Sequence, residues 1–122
     1  MQETSAPLRF NDQIREWLQP ALDRGGTHAI EDIEKEVATG HMQLWVGERG
    51  AAVTQILDFP RKKVLHVFLA GGEMDQITDF QESAWIWGQS QGCTAMTLSG
   101  RLGWKRVLRD WTAKSVEMEF TG

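Results

Sequence analysis

The chain has 122 residues, of which 41% are hydrophobic and 25% charged, and its formal net charge is −4. A chain of this size can bury a core of its own, so we expect one domain over residues 1–122 that needs no metal or disulfide. The acidic balance argues against a general nucleic-acid binder, Cys93 has no second cysteine to pair with, and no apolar run is long enough to predict a membrane span or a secretory signal.

The N-terminal region predicts a short strand and a helix. Residues 7–10 have the extended pattern of an edge strand, and Asn11 is a good N-cap for the helix that follows. Pro20 interrupts the apolar stripe of this helix, so we predict two short helical pieces that end at Gly25 and Gly26.

A second helix is predicted between Thr27, which can cap it, and Gly40, which favours a helix end. Ile30, Ile33 and Val37 share its apolar face. The opposite face is crowded with acids, a pattern typical of a solvated helix surface: Glu31, Asp32, Glu34 and Glu36.

The middle of the chain changes to strand periodicity. Residues 42–46 and 52–57 flank a turn at Gly50, which predicts a hairpin. Residues 64–70 are almost continuously apolar, as in a strand buried on both faces, and we expect this strand to be central.

The second half predicts a strand, helix, strand crossover. After the strand at 64–70, an apolar stripe predicts a long helix that covers the sheet and ends at Gly92; its members are Met74, Ile77, Phe80, Ala84 and Trp87. A strand at 94–98 follows, then a short basic helix at 101–110 and an alternating last strand at 115–120. A helical crossover makes the two flanking strands parallel neighbours. The class is α/β, a single-domain mixed sheet flanked by helices in the order β-αα-βββ-α-β-α-β.

The predicted topology indicates where a ligand would bind. Ligands of such sheets lie at the carboxyl ends of adjacent strands, where the strands diverge into a crevice. In this chain those ends are residues 70–72 and 98–100.

This order of elements resembles the GNAT acetyltransferase fold. The string VLHVFLAGG looks like the central strand of that fold, and GCTAMTLSGRLGWKRVL looks like the strand and helix after its crossover. More narrowly, the run from Thr27 to Arg106 is similar to small GNAT-like proteins encoded by phages and prophages. The resemblance implies a location in the cytoplasm of a bacterial host or in the virion. It also implies protein partners, virion components among them, whereas the composition argues against a membrane or a nucleic acid as partner.

GNAT enzymes wrap the pyrophosphate of acetyl-CoA in a glycine-rich loop after the central strand, where backbone N–H groups reach the phosphates. The resemblance makes five residues candidate cofactor contacts: Val67, Phe68, Leu69, Gly71 and Gly72. The loop is degenerate, because Glu73 and Asp75 place negative charge near the phosphates and residues 64–100 contain no Arg or Lys. Alternatively, the two glycines only make a strand-to-helix turn, in which the acids favour the helix dipole.

The catalytic residues are not identified by the sequence. GNAT enzymes often use a tyrosine to protonate the leaving thiolate, and this chain has no tyrosine. A base for an amine could be Glu48, Asp58 or His66, although a histidine within a buried strand more often has a structural role. The three histidines lack metal-ligand spacing, so we predict no metal site.

A basic segment follows the last crossover strand. Arg101, Lys105 and Arg109 are spaced to share one helix face, whereas Leu108 and Trp111 turn inward with Trp104 and Val107. The basic face is a candidate surface for an anion or a protein partner. A solvated face and a contact to a CoA phosphate are the alternatives.

Two functions from different classes fit these observations. The first is a non-catalytic interaction or virion-associated protein, which needs no cofactor, and the degenerate loop and missing tyrosine favour it. The alternative is an acetyl-CoA-dependent N-acetyltransferase, in which the acidic first helices attract an unidentified cationic amine.

Overall fold

The described part of the chain contains three helices and four strands. In chain order they are α1 (Asp12–Gly25), α2 (Ile30–Ala38), β1 (Gln43–Val46), β2 (Gly50–Asp58), β3 (Lys63–Gly72), α3 (Gln76–Ser90) and β4 (Ala95–Leu98). The computed structural model describes residues 10–73, 76–99, 108, 110–114 and 118–122, without the side chains of residues 76, 77 and 79. Most of the predicted strand at 7–10 and of the predicted helix at 101–110 lies outside these residues.

Helix α1 is continuous, so the prediction of two pieces around Pro20 is wrong. The Asn11 side chain caps it by accepting a hydrogen bond from the Ile14 backbone N–H at 2.8 Å. Gly26 ends it in the left-handed region with a φ of 68°. Pro20 and Glu16 are both exposed, so water can bond the Glu16 carbonyl that has no helical donor, and the helix continues.

Helix α2 begins at Ile30, so the predicted cap at Thr27 is wrong. The N-cap is Ala29, whose side chain makes no capping hydrogen bond. The Asp32 carboxylate instead reaches back and accepts a hydrogen bond from the Ala29 backbone N–H at 2.9 Å. The Thr27 hydroxyl instead lies 2.8 Å from Nδ1 of His28.

The four strands form one mixed sheet in the order β1-β2-β3-β4. β2 pairs antiparallel with β1 and with β3, and β3 pairs parallel with β4, with Val64 opposite Ala95. The predicted hairpin, the interior position of β3 and the parallel crossover are all confirmed.

Helices cover both faces of the sheet. Val53 and Leu69 face α1 and α2, where they join Leu18 and Ile33, both of which are fully buried. Leu65 lies on the opposite face and packs with Ala84 of α3. No helix in the described ranges combines the length and the hydropathy needed to cross a bilayer.

Residues 118–122 are not in a strand, which differs from the predicted strand at 115–120; residues 115–117 lie outside the described residues. The side chains of Met118 and Phe120 are 87% and 92% exposed. This segment therefore contributes little to the core of its own chain.

Candidate functional site

At the carboxyl end of the sheet, β3 continues beyond the last residue that pairs with β4. Their pairing ends at Val67 opposite Leu98, but β3 runs on beside β2 until Gly72 lies opposite Gly50. Residues 68–72 therefore extend beyond the pairing with β4, at the place that the topology predicts for a crevice. All five candidate cofactor contacts lie on or next to this stretch, and their contact with a cofactor stays a prediction.

One extra residue sits in β3 directly after the last residue that pairs with β4. Val53 and Thr54 are adjacent on β2, but their partners Leu69 and Val67 are separated by Phe68. This β-bulge shifts the alternation of side chains along β3 by one residue. Val67 lines the α3 side of the sheet, whereas Phe68 and Leu69 both lie toward α1 and α2.

The loop between α1 and α2 borders the bulge. The rings of His28 and Phe68 meet edge to face, with centroids 5.0 Å apart and planes inclined by 76°. Sequence inspection found no role for His28, because nothing local in the sequence connects it to a strand forty residues later.

His66 lies two residues before the bulge and on the same face as Phe68. Its Nδ1 is 2.8 Å from the Thr97 hydroxyl oxygen on β4. Burial lowers the pKa of His66, so the ring is neutral at pH 7. The hydrogen bond gives His66 a structural partner, and the neutral ring is also the form that a general base needs.

Gly71 and Gly72 belong to β3 and are closely surrounded by backbone. A Cβ atom on Gly71 would collide with the Trp17 carbonyl oxygen of α1, and one on Gly72 would collide with the Arg49 carbonyl oxygen. Gly72 also has a φ of 96°, which favours glycine. Close packing on α1 and on the β1–β2 turn therefore accounts for both glycines.

The β1–β2 turn places a positively charged side chain beside the acidic residue at the end of β3. Nε of Arg49 lies 3.3 Å from Oε1 of Glu73, and the Glu73 backbone N–H donates to the Arg49 carbonyl at 2.9 Å. Sequence inspection missed Arg49, because the pairing of Gly50 with Gly72, and not closeness along the chain, brings it there. One N–H group and one negative charge of the candidate phosphate loop are thus already paired within the chain.

Apolar side chains cover the α3 side of the sheet near the carboxyl end of β3. Leu108 is 4% exposed, and together with Trp111 it packs on Ala52, Ala70 and Leu98. The Trp111 indole N–H also donates to Oε1 of Gln81 on α3 at 2.9 Å. The predicted inward orientation of Leu108 and Trp111 is confirmed.

A cavity of about 20 Å³, enough for one water molecule, lies among Trp111, Thr54 and Trp45. Thr54 is 1% exposed, accepts a hydrogen bond from the Trp45 indole N–H at 3.0 Å and donates one to Oε1 of Gln43 at 2.8 Å. These polar groups satisfy one another, and the remaining lining is mostly apolar.

The other candidate site residues are spread over the fold. Glu48 is exposed in the β1–β2 turn, at the carboxyl end of β3, whereas Asp58 pairs with Lys63 at the opposite end. The predicted basic surface of Arg101, Lys105 and Arg109 lies outside the described residues. Among the residues that the structure does describe, no three His, Cys, Asp or Glu side chains are grouped as metal ligands.

No protein-family model matches the sequence, and comparison with curated proteins gives no match. Among solved structures, a point mutant of TTHA1254 from Thermus thermophilus is similar with a TM-score of 0.60 and 14% identity over 88% of this chain and 96% of that one. A tetramutant of BH1408 from Bacillus halodurans has a TM-score of 0.59 and 14% identity over 84% and 85% of the two chains.

The third similar structure is glucosamine-6-phosphate N-acetyltransferase from Arabidopsis thaliana, with a TM-score of 0.53 and 16% identity over 95% of this chain and 82% of that one. At these identities the likeness concerns the fold alone. The chain has a GNAT-like fold, an α/β arrangement with a mixed sheet, as its sequence predicts.

Proposed function

We propose that this chain is a phage or prophage protein that uses the GNAT-like scaffold as a non-catalytic interaction or virion-associated component. Its location would be the bacterial cytoplasm or the virion, and its partners other proteins, virion components among them. The resemblance of the run from Thr27 to Arg106 to phage-encoded proteins supports the origin.

The end of β3 carries the non-catalytic part of the proposal. A phosphate cradle needs free backbone N–H groups and little negative charge. Here the Glu73 N–H donates to the Arg49 carbonyl, and Gly71 lies against the backbone of α1. The Glu73 side chain is 64% exposed. It pairs with Arg49, the cationic side chain that the β1–β2 turn supplies next to the loop.

Titration calorimetry with acetyl-CoA tests this part. We expect no saturable heat at micromolar protein, and Glu73→Gln, which removes the charge but keeps the backbone, serves as the matched variant. A low-micromolar dissociation constant for the wild-type chain would refute the non-catalytic proposal. Detection of the chain in purified particles from an induced host tests the virion association, and its absence there would limit the protein to the host cytoplasm.

The part of β3 beyond its pairing with β4 favours a second candidate, an acetyl-CoA-dependent N-acetyltransferase. Beyond Val67, β3 has an edge that is not paired with β4, and the pantetheine arm of the cofactor could pair along it. His66, neutral at pH 7, would then be the candidate base beside Phe68. Release of free CoA thiol from acetyl-CoA in the presence of simple primary amines, lost in His66→Gln, would support this alternative.

A further inference from the structure

The tip of the β2–β3 hairpin exposes an aromatic ring and two cations. Phe59 is 51% exposed, and within the described residues it joins none of the apolar clusters. Arg61 and Lys62 are exposed, and neither forms a salt bridge with a residue that the structure describes. The described part of the fold therefore does not use these three side chains.

Main-chain hydrogen bonds hold the tip in one shape. The Phe59 backbone N–H donates to the Lys62 carbonyl at 2.8 Å, and the pairing of β2 with β3 reaches this turn. Lys63 joins the tip to two further elements. Its carbonyl accepts a hydrogen bond from the Thr94 N–H at 2.9 Å, and its Nζ donates to the Gln91 carbonyl after α3 at 3.2 Å. A partner would thus meet a preformed surface, so little ordering entropy is lost on binding.

The charge of the tip is opposite to that of the helices. Residues 58–63 contain three bases and one acid, whereas α1 and α2 together contain seven acids and three bases. A short acidic segment is attracted to the tip, but a long polyanion such as a nucleic acid would also meet repulsion from the acidic helices. Binding to an anionic bilayer needs a larger apolar face or a lipid chain, and the tip has one exposed ring.

We propose that the hairpin tip, residues 59–62, binds an acidic segment of a partner protein. Carboxylates of the segment face Arg61 and Lys62, and one of its apolar side chains lies on the Phe59 ring. The inference rests on the proposed interaction role. Gly50 and Gly72 lie at the opposite end of the β2–β3 pairing, so acetyl-CoA does not enter into it. Failure of the tip to bind would remove this surface, whereas the acetyl-CoA titration tests the non-catalytic role separately.

Nuclear magnetic resonance of the intact chain, titrated with the synthetic peptide EDLEDLED, tests the proposal. We expect saturable shifts of the backbone amides in residues 58–63, and weaker binding at higher salt because the charges are exposed. The peptide QNLQNLQN has the same apolar residues without the charges. It should bind roughly tenfold more weakly, since the carboxylates supply the electrostatic complementarity.

Variants separate the contributions of the cations and the ring. The double variant Arg61→Gln, Lys62→Gln should weaken peptide binding by roughly three- to tenfold, as expected for two exposed charges, and Phe59→Ser should also weaken it. Two matched controls should bind as the wild-type chain does. Lys35→Gln removes an exposed base of α2, and Val46→Ser removes an apolar side chain of β1 that is 50% exposed. Far-ultraviolet circular dichroism checks that all of these variants fold.

Three results with the acidic peptide would overturn the proposal: no saturable shifts, shifts centred away from the tip, or equal binding of the neutral peptide. Unchanged binding by the double variant and by Phe59→Ser would overturn it as well. A single strand of thymidine nucleotides and phosphatidylserine vesicles complete the comparison at equal charge concentration. Tighter binding of either one would contradict a protein partner and would identify a nucleic acid or a lipid surface in its place.

Discussion

Gly71 is a point where a helix and the sheet meet backbone to backbone. The Gly71→Ala variant places a methyl group against the Trp17 carbonyl oxygen, so α1 or β3 must move. We expect a loss of roughly 1–3 kcal/mol in the free energy of unfolding, as for other overpacked sites. Urea denaturation measures it. Gly25→Ala is the matched control, because nothing lies within 4 Å of its Cβ, and it should be neutral or slightly stabilising.

His66 gives the stability a pH dependence with a defined sign. Burial lowers its pKa in the folded chain, below the value of about 6.5 that an unfolded histidine has. The unfolded chain therefore takes up the proton first as the pH falls. The contribution of His66 to stability is fully present above about pH 6.5 and is lost as the pH falls through the folded pKa.

The His66→Gln variant should consequently lose less stability than the wild-type chain between about pH 7 and pH 5. Thermal unfolding at several pH values measures this difference. Direct titration of the His66 ring by nuclear magnetic resonance is the independent check. A ring that titrates at or above the ordinary histidine value contradicts the prediction.

Among the elements, helix α1 contains a residue that destabilises the helix. Pro20 is exposed inside the helix, where proline costs about 3 kcal/mol relative to alanine. Pro20→Ala restores the hydrogen bond to the Glu16 carbonyl, and we expect the free energy of unfolding to rise by roughly 1–3 kcal/mol. If urea denaturation gives the same free energy of unfolding for Pro20→Ala and the wild-type chain, Pro20 already fits the helix without strain.

Helix α3 depends on its inward face. Trp87 packs with Leu65 and Ala84, which confirms its predicted orientation; the side chain of Ile77 lies outside those described. Trp87→Ala should destabilise the chain by roughly 3 kcal/mol, the lower end for such truncations because Trp87 is only half-buried. Ile86→Ala, at a site 60% exposed, should change stability by less than about 0.5 kcal/mol. Equal denaturation midpoints for the two variants would mean that α3 is oriented differently.

For the molecule as a whole, local periodicity was enough to predict most elements and their order. The apolar run at 64–70 is an interior strand, and the glycine breaks separate the right segments, whereas the break predicted at Pro20 does not occur. The parallel pairing of β3 with β4 followed from the helical crossover between them. These features depend on residues that are close in sequence, which is why the sequence reveals them.

The details of the candidate site depend on how β3 is aligned with β2 and on how the helices pack on the sheet. The sequence alone could not provide either. The bulge at Phe68 appears only when β3 is aligned with β2. Arg49 reaches Glu73 through that same alignment. The approach of Trp17 to Gly71 requires the position of α1 on the sheet, which a stripe of apolar residues does not specify.

The contact between Trp45 on β1 and Trp87 on α3 also gives the fold a circular dichroism signal of its own. Their ring centroids are 6.1 Å apart and their planes are inclined by 70°. Excited states of two indoles this close couple, and the coupling produces two circular dichroism bands of opposite sign. The two bands report whether α3 is packed on the sheet, and they do so independently of the helix content. Trp45→Phe and Trp87→Phe should each abolish it, whereas Trp17→Phe should preserve it, so one spectrum can follow that seating during unfolding.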